Sequence, residues 1–348
     1  MKLIVQIPAY NEGATIGEVI DHIPRRIPGV STVEVLIIDD GCTDDTVAVA
    51  LAHGADHIVR HVGNKGLARA YQTGIDACLR LGADIIINTD ADHQYPGDEI
   101  PRLIQPILDG RAEIVVGNRQ IHTIDDFSTF KKLLQYLGSG VVRWASGTDI
   151  PDTVSGFRAL SREAALRTFV TSDFSYTVEN LIQAGKKRLT LATVPIRTNP
   201  TRRPSKLARS NWQFIKRQAA IIVRTYATYE PLKTFSYIAA PFLILGMLLL
   251  VRAFYVFLAR RLIADYVASN DQALVGGSVL FIVGFVILLV GLLADRIGGV
   301  RRVEEEVLYR LRKQEIEDEA WRRTVSARLS HLERSIDPEE KEEVRRQK

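Results

Sequence analysis

Along the first two hundred residues, short runs of apolar and β-branched side chains alternate with longer stretches of helical period. The runs are KLIVQI from Lys2, VEVLII from Val33, HIVRHV from His57, ADIIIN from Ala83 and AEIVVG from Ala112, and between most of them lie residues 14–23, 46–53, 67–81 and 98–108. This alternation predicts an α/β fold, a Rossmann-like, mostly parallel sheet flanked by helices. In such sheets ligands gather beyond the carboxyl ends of the strands.

The pattern then changes. Residues 273–294 contain no charge over 22 positions, enough to cross a hydrocarbon core of about 30 Å. Before them, residues 237–251 are apolar, Arg252 interrupts, and 253–259 are apolar again. Fifteen residues reach only about 22 Å, so a span here must continue past Arg252, whose long side chain can snorkel to the headgroups. Two transmembrane helices, about 237–259 and 273–294, are therefore expected as a hairpin within 236–296. The apolar stretch from Leu3 is broken by Gln6, Pro8, Asn11 and Glu12, which argues against a signal peptide. Gly277, Gly284 and Gly291 recur every seven residues and share a face that admits another helix. Residues 297–348 read as a charged, amphipathic C-terminal helix. Its narrow seam of Val303, Val307, Leu311, Val325, Leu329, Leu332 and Ile336 suits a short coiled coil or a surface of its own globular domain.

Composition sharpens this division. The chain has 348 residues, 25% charged and 46% hydrophobic, with a net charge of +4, which excludes a disordered chain or a small disulfide scaffold. Cys42 and Cys78 alone build neither a zinc ribbon nor a disulfide framework. The net charge is −4 over residues 1–200, +7 over 201–233, +1 over 234–300 and zero over 301–348. The basic character is thus one juxtamembrane belt in an amphipathic segment, 201–235, and no nucleic-acid surface is expected. Arg202, Arg203, Lys206, Arg209, Lys216, Arg217, Arg224 and Lys233 precede the hairpin, and Arg296, Arg301 and Arg302 follow it. By the positive-inside rule both termini and the globular domain face the cytoplasm, in a multi-pass protein of the cell membrane. Trp212, Tyr226, Tyr229 and Tyr237 fit an interfacial aromatic zone.

Four polar clusters follow four strands: Pro8-Ala9-Tyr10-Asn11-Glu12-Gly13, Asp39 to Thr46, Asn88 to Pro96, and Gly117-Asn118-Arg119. Each alone could be a turn or a helix cap; together they define one site. Asp90-Ala91-Asp92 brings two carboxylates to a strand end, where a hard cation such as Mg2+ or Mn2+ binds through oxygen and shares substrate phosphates. Neither GxxxxGK[ST] nor a GxGxxG after the first strand occurs, which removes the main support for ATPase and dehydrogenase readings. His53, His57 and His61 show no metal spacing, and Glu179 reads as a first-turn glutamate favouring a helix dipole.

The motifs IPAYNE, DDGCTDDT, GNKGLARA, TDADHQYP, GNR, SGFRALSR and SKL, in this order from Ile7 to Leu207, resemble the inverting family 2 glycosyltransferases of GT-A fold. Within them, the chain is similar to polyprenyl-phosphate glycosyltransferases like dolichyl-phosphate mannose synthase. The resemblance implies a GT-A domain over 1–200 that uses a nucleotide-sugar donor, GDP- or UDP-linked, and a polyprenyl phosphate acceptor. It implies that Pro8, Tyr10 and Glu12 contact the nucleotide, that Asp40 reads the base, and that Asp90, Ala91 and Asp92 form the DxD element. The metal is then held by Asp92 and Gln94. Arg119 and Lys206 meet the departing diphosphate, Arg158 meets the acceptor phosphate, and Lys132 falls near a basic position before the acceptor helix. The chain departs from the family at Cys42, at His93, and in the loop Asn199-Pro200-Thr201-Arg202-Arg203-Pro204, where Arg202 or Arg203 stands in for the usual arginine. Two rivals are a processive polysaccharide synthase, which lacks its QxxRW motif here, and a catalytically silent membrane scaffold. The hairpin and the C-terminal helix each allow a homo-oligomer.

Overall fold

The computed structural model describes residues 1–120, 129–172, 175–200, 211–262 and 271–335. The described residues contain seven strands: β1 (Lys2–Ala9), β2 (Thr32–Asp39), β3 (His57–Arg60), β4 (Ile85–Asn88), β5 (Ile114–Asn118), β6 (Arg158–Ser161) and β7 (Leu191–Pro195). The helices are α1 (Gly13–Asp21), α2 (Thr46–Ala52), α3 (Leu67–Arg80), α4 (Ile100–Leu108), α5 (Thr129–Ser146), α6 (Arg162–Arg167), α7 (Thr177–Lys186), α8 (Asn211–Tyr229), α9 (Pro231–Leu262) and α10 (Asp271–Ser335). The strands form one sheet in the order β3-β2-β1-β4-β6-β5-β7. It is parallel except for β6, which runs antiparallel to both β4 and β5. The expected mostly parallel α/β sheet is what forms.

Alternation along the strands splits the core into two layers. Leu3, Val5, Ile7 and Ile37 pack with Ile16, Ile20, Leu103 and Ile104 on one face. Ile4, Leu36, Ile38 and Ile86 pack with Tyr71, Ile75, Leu79 and Leu181 on the other. Register also builds a buried polar row across the second face: Gln6 pairs with Asn88, and Asn88 with Arg158. The reversed β6 delivers its first residues, not its last, to the carboxyl ends of the parallel strands.

The chain divides into two units, residues 1–218 with 307–348, and residues 219–306. In the first, the last part of α10 lies on the globular domain. Arg312 donates to the carbonyls of Ala165, Leu166 and Thr168 at the end of α6 and pairs with Asp76 of α3. Tyr309 donates to Glu163 and lies under Arg167, Ile316 is buried in the second core layer, and Arg80 pairs with Glu315 and Glu319. The second unit holds two helices long and apolar enough to cross a membrane, α9 and the first part of α10. α9 continues unbroken through Arg252 to Leu262. Small residues let the two helices approach. A Cβ on Gly277 would lie 3.2 Å from the Gly246 carbonyl, and one on Gly284 2.9 Å from the Leu243 nitrogen. The seven-residue glycine stripe therefore receives α9 of the same chain. The outward faces, with Leu248, Phe254, Leu258, Val279, Phe285 and Leu293, stay exposed.

Candidate active site

β1, β2, β4 and β5 all end at one edge of the sheet, and the turns before β6 come back to the same edge. β2, β4 and β5 end in the polar residues Asp39, Asn88 and Asn118, and β1 in Ala9. Three of the four non-glycine residues with positive φ among the described residues, Asn11 (55°), His93 (60°) and Gln120 (48°), lie in the turns that follow β1, β4 and β5. Such left-handed backbone is held only where surrounding contacts over-determine it.

The DxD turn is held from three sides. Thr15 of α1 donates to the Ala91 carbonyl at 2.7 Å, and Gln94 N–H donates to Asp92 Oδ1 at 3.1 Å. Asn199 donates its backbone N–H to the Gln94 carbonyl and its side-chain amide to the His93 carbonyl, both at 3.0 Å. Asp90, Asp92 and Gln94 remain half-buried while Ala91 beneath them is buried. Burial and the neighbouring Asp92 charge push the Asp90 carboxyl up to about 7, against the opposing pull of Arg119. Two carboxylates and an amide oxygen at one open edge are an all-oxygen donor set that fits Mg2+ or Mn2+ and leaves room for water and phosphate ligands.

Behind Asp90 lies a network the sequence did not disclose. Asn88 accepts from Gln6 and donates to Tyr176 Oη and the Gly156 carbonyl, while Gly156 N–H donates to Tyr95 Oη. A Cβ on Gly156 would stand 3.0 Å from both Asp90 Oδ2 and Tyr176 Oη. The glycine of SGFR is thus the seat of the first aspartate, a role that only the close approach reveals.

Arg119 is fixed by Asp152, which accepts from Nε at 2.7 Å and Nη2 at 2.9 Å. Burial disfavours its charge, but this bidentate pair outweighs it and raises the guanidinium pKa. Its charge also reaches Asp90. Asp152 was not anticipated, because an aspartate thirty-three residues away carries no local signal.

Arg158 is placed differently from expectation. It is fully buried and donates to the carbonyls of Ser155, Thr153 and Thr177 and to Asn180 Oδ1. The antiparallel register of β6 turns it inward opposite Asn88, so it braces the 153–156 turn rather than meeting an acceptor phosphate. Glu179 does more than favour a helix dipole: it accepts from Thr171 and Ser172 N–H and ties that loop to α7.

On the nucleotide side, Pro8 is buried at the end of β1, Tyr10 is exposed and Glu12 half-buried, with Glu12 N–H donating to Thr46. Asp40 is almost wholly buried and binds His61 and the 65–66 backbone. Lys132 lies in the first turn of α5. Arg203 and Lys206 fall outside the described residues.

Residues 4–169 match the family described as glycosyl transferase family 2. The UDP-N-acetylglucosamine–dolichyl-phosphate N-acetylglucosaminyltransferase of Methanococcus voltae is 30% identical over 214 residues, 55% of this chain and 83% of the relative. The undecaprenyl-phosphate mannosyltransferase of Micrococcus luteus is 25% identical over 210 residues, 56% and 83% of the two chains. Among solved structures, glucosyl-3-phosphoglycerate synthase of Mycobacterium tuberculosis, in complex with Mn2+, UDP-glucose and phosphoglyceric acid, superposes with a TM-score of 0.51. It is 25% identical, and the match covers 65% of this chain and 78% of that one.

Proposed function

The chain belongs to glycosyl transferase family 2, and from that premise we propose that it transfers a sugar from a nucleotide-sugar to a polyprenyl phosphate with inversion. One observation carries the reading: Asp90, Asp92, Gln94 and Arg119 meet at the open edge of a nucleotide-type sheet, in a chain that also holds two membrane-length apolar helices. The named activities of the Methanococcus and Micrococcus relatives, both sugar transfers to a polyprenyl phosphate, support it.

In this reaction a phosphate oxygen of the lipid attacks the anomeric carbon from the face opposite the nucleotide. The bond from that carbon to the diphosphate oxygen breaks, and its electron pair leaves with the nucleoside diphosphate. The nucleophile is already an anion near neutral pH, so no strong base is needed. The protein supplies position and charge. Asp92 and Gln94, with Asp90 beside them, would hold a divalent cation. Mg2+ or Mn2+ bound there supplies Lewis-acid neutralisation of the diphosphate. Arg119, locked by Asp152, adds a fixed positive charge on the same side. By the family resemblance, Lys206 and Arg202 or Arg203 add positive charge toward the donor diphosphate, and Lys132 falls near a basic position before the acceptor helix.

The hairpin 236–296 spans the cell membrane with the 1–200 domain and both termini in the cytoplasm. The basic segment 201–235 faces an anionic leaflet, where each positive charge near the surface is worth about 1 kcal/mol. Incubating membranes that contain the protein with labelled GDP- and UDP-sugars, with and without chelator, and extracting lipid tests the reading. Metal-dependent label in a polyprenyl phosphosugar is expected, and Asp92→Ala abolishes it. Unaltered synthesis in Asp92→Ala would leave the silent scaffold as the better account.

A further inference from the structure

Asp92 and Gln94 are separated by His93 alone, so the backbone angles at His93 set how the two side chains stand to each other. His93 has φ 60°, the left-handed region, which is unfavourable for any residue with a Cβ. Without outside contacts the turn would relax and carry Gln94 away from Asp92.

Contacts that oppose this relaxation come from two sides. From the α1 side, the His22 ring is centred 4.9 Å from the His93 ring, and Glu18 Oε1 lies 3.4 Å from His93 Nε2. From the other side comes the segment that leaves β7. Ile196 N–H donates to the Asn118 carbonyl at 2.9 Å and extends the pairing of β7 with β5. Arg197 then donates from Nε to Glu99 Oε1 at 2.5 Å and from Nη2 to Asp98 Oδ2 at 2.6 Å, which lays the segment along residues 93–99. Anchored there, Asn199 bonds the Gln94 carbonyl through its backbone N–H and the His93 carbonyl through its side-chain amide. Both peptide groups that flank Gln94 are therefore fixed by one residue. We propose that Asn199 is a positioning residue for the cation: it holds the turn in its left-handed form and so keeps Gln94 beside Asp92 as a second ligand. Asn199 acts through the turn and is not itself a ligand.

This role rests on the cation site of the proposed function, and its test reads Mn2+ binding rather than sugar transfer. The full chain in detergent is titrated with Mn2+, free ion is followed by electron paramagnetic resonance, and the thermal midpoint is measured beside it. Asp92→Ala is expected to abolish the site. Asn199→Ala keeps the backbone bond and loses the side-chain one, and is expected to weaken Mn2+ binding about 5- to 10-fold. A His93→Gly background separates positioning from plain stability, because glycine adopts positive φ without the Cβ penalty. There Asn199→Ala is expected to cost about twofold or less. A lower thermal midpoint with unaltered Mn2+ affinity in Asn199→Ala overturns the role, as does an equal loss of affinity in both backgrounds. Either result, with Asp92→Ala still abolishing the site, leaves the cation site and the transferase reading standing. Mn2+ binding unmoved by Asp92→Ala removes the cation site and the role together. The expected Mn2+ pattern, with no lipid-linked sugar from any donor, would uphold the role and remove the transferase reading instead.

Discussion

At the scale of single residues, the site depends on groups whose importance lies in what they touch. Gly156→Ala places a methyl group 3.0 Å from Asp90 Oδ2 and from Tyr176 Oη. The aspartate is the softer neighbour and must yield, so kcat is expected to fall by about tenfold or more. The thermal midpoint, measured beside it, should move little. Arg158→Ala should do the reverse. It leaves the carbonyls of Ser155, Thr153 and Thr177 and the amide of Asn180 without their donor in the interior. The expected cost is about 3–5 kcal/mol, read by denaturant titration. Asp39 gives a pH signature. Burial alone would raise its carboxyl, but the Cys42 N–H and Arg60 outweigh it and hold the pKa below the ordinary range. A depressed carboxyl stabilises the fold above its unfolded value, and that stability is lost as pH falls through the folded one. Stability should therefore decline below about pH 4, and Asp39→Asn should flatten that slope in acid titration. The DxD pair and Arg119 were legible from sequence because they stand beside strand ends. Asp152, Tyr176 and Asn199 were not, since their contacts are long-range and their residue types common.

At the scale of elements, periodicity disclosed what is regular and apolar. β1, β2, β4 and β5 are buried β-branched runs and stood out at once, whereas β6 is four residues that open on an arginine and pass directly into α6. Its antiparallel direction, which the motif SGFRALSR does not encode, is what turns Arg158 inward. The glycine stripe of α10 was equally legible, but its partner was not; α9 occupies it. Gly284→Ile would drive a branched side chain into Leu243 and splay the hairpin. Its expected readout is a lower thermal midpoint in detergent and greater protease sensitivity between α9 and α10. The stretch of α10 on the globular domain makes a separate prediction. Arg312→Ala removes the donor to the carbonyls of Ala165, Leu166 and Thr168 at the end of α6 and the partner of Asp76, and should cost about 2 kcal/mol in the unfolding of the full chain.

At the scale of the whole molecule, a near-neutral mean hydropathy of +0.02 conceals unlike parts: an acidic sheet domain, a basic belt, an apolar helical hairpin and a charge-balanced tail. Such a chain suits a reaction whose donor is soluble and whose acceptor is dissolved in the membrane. The central claim is therefore about the product. Purified protein in polyprenyl-phosphate vesicles, given an α-linked nucleotide-sugar and divalent metal, should form one nucleoside diphosphate for each lipid-linked sugar. The anomeric proton coupling of that lipid should report a β-linkage. A product that retains the α-configuration, or nucleoside diphosphate released with no sugar on the lipid, would contradict the account.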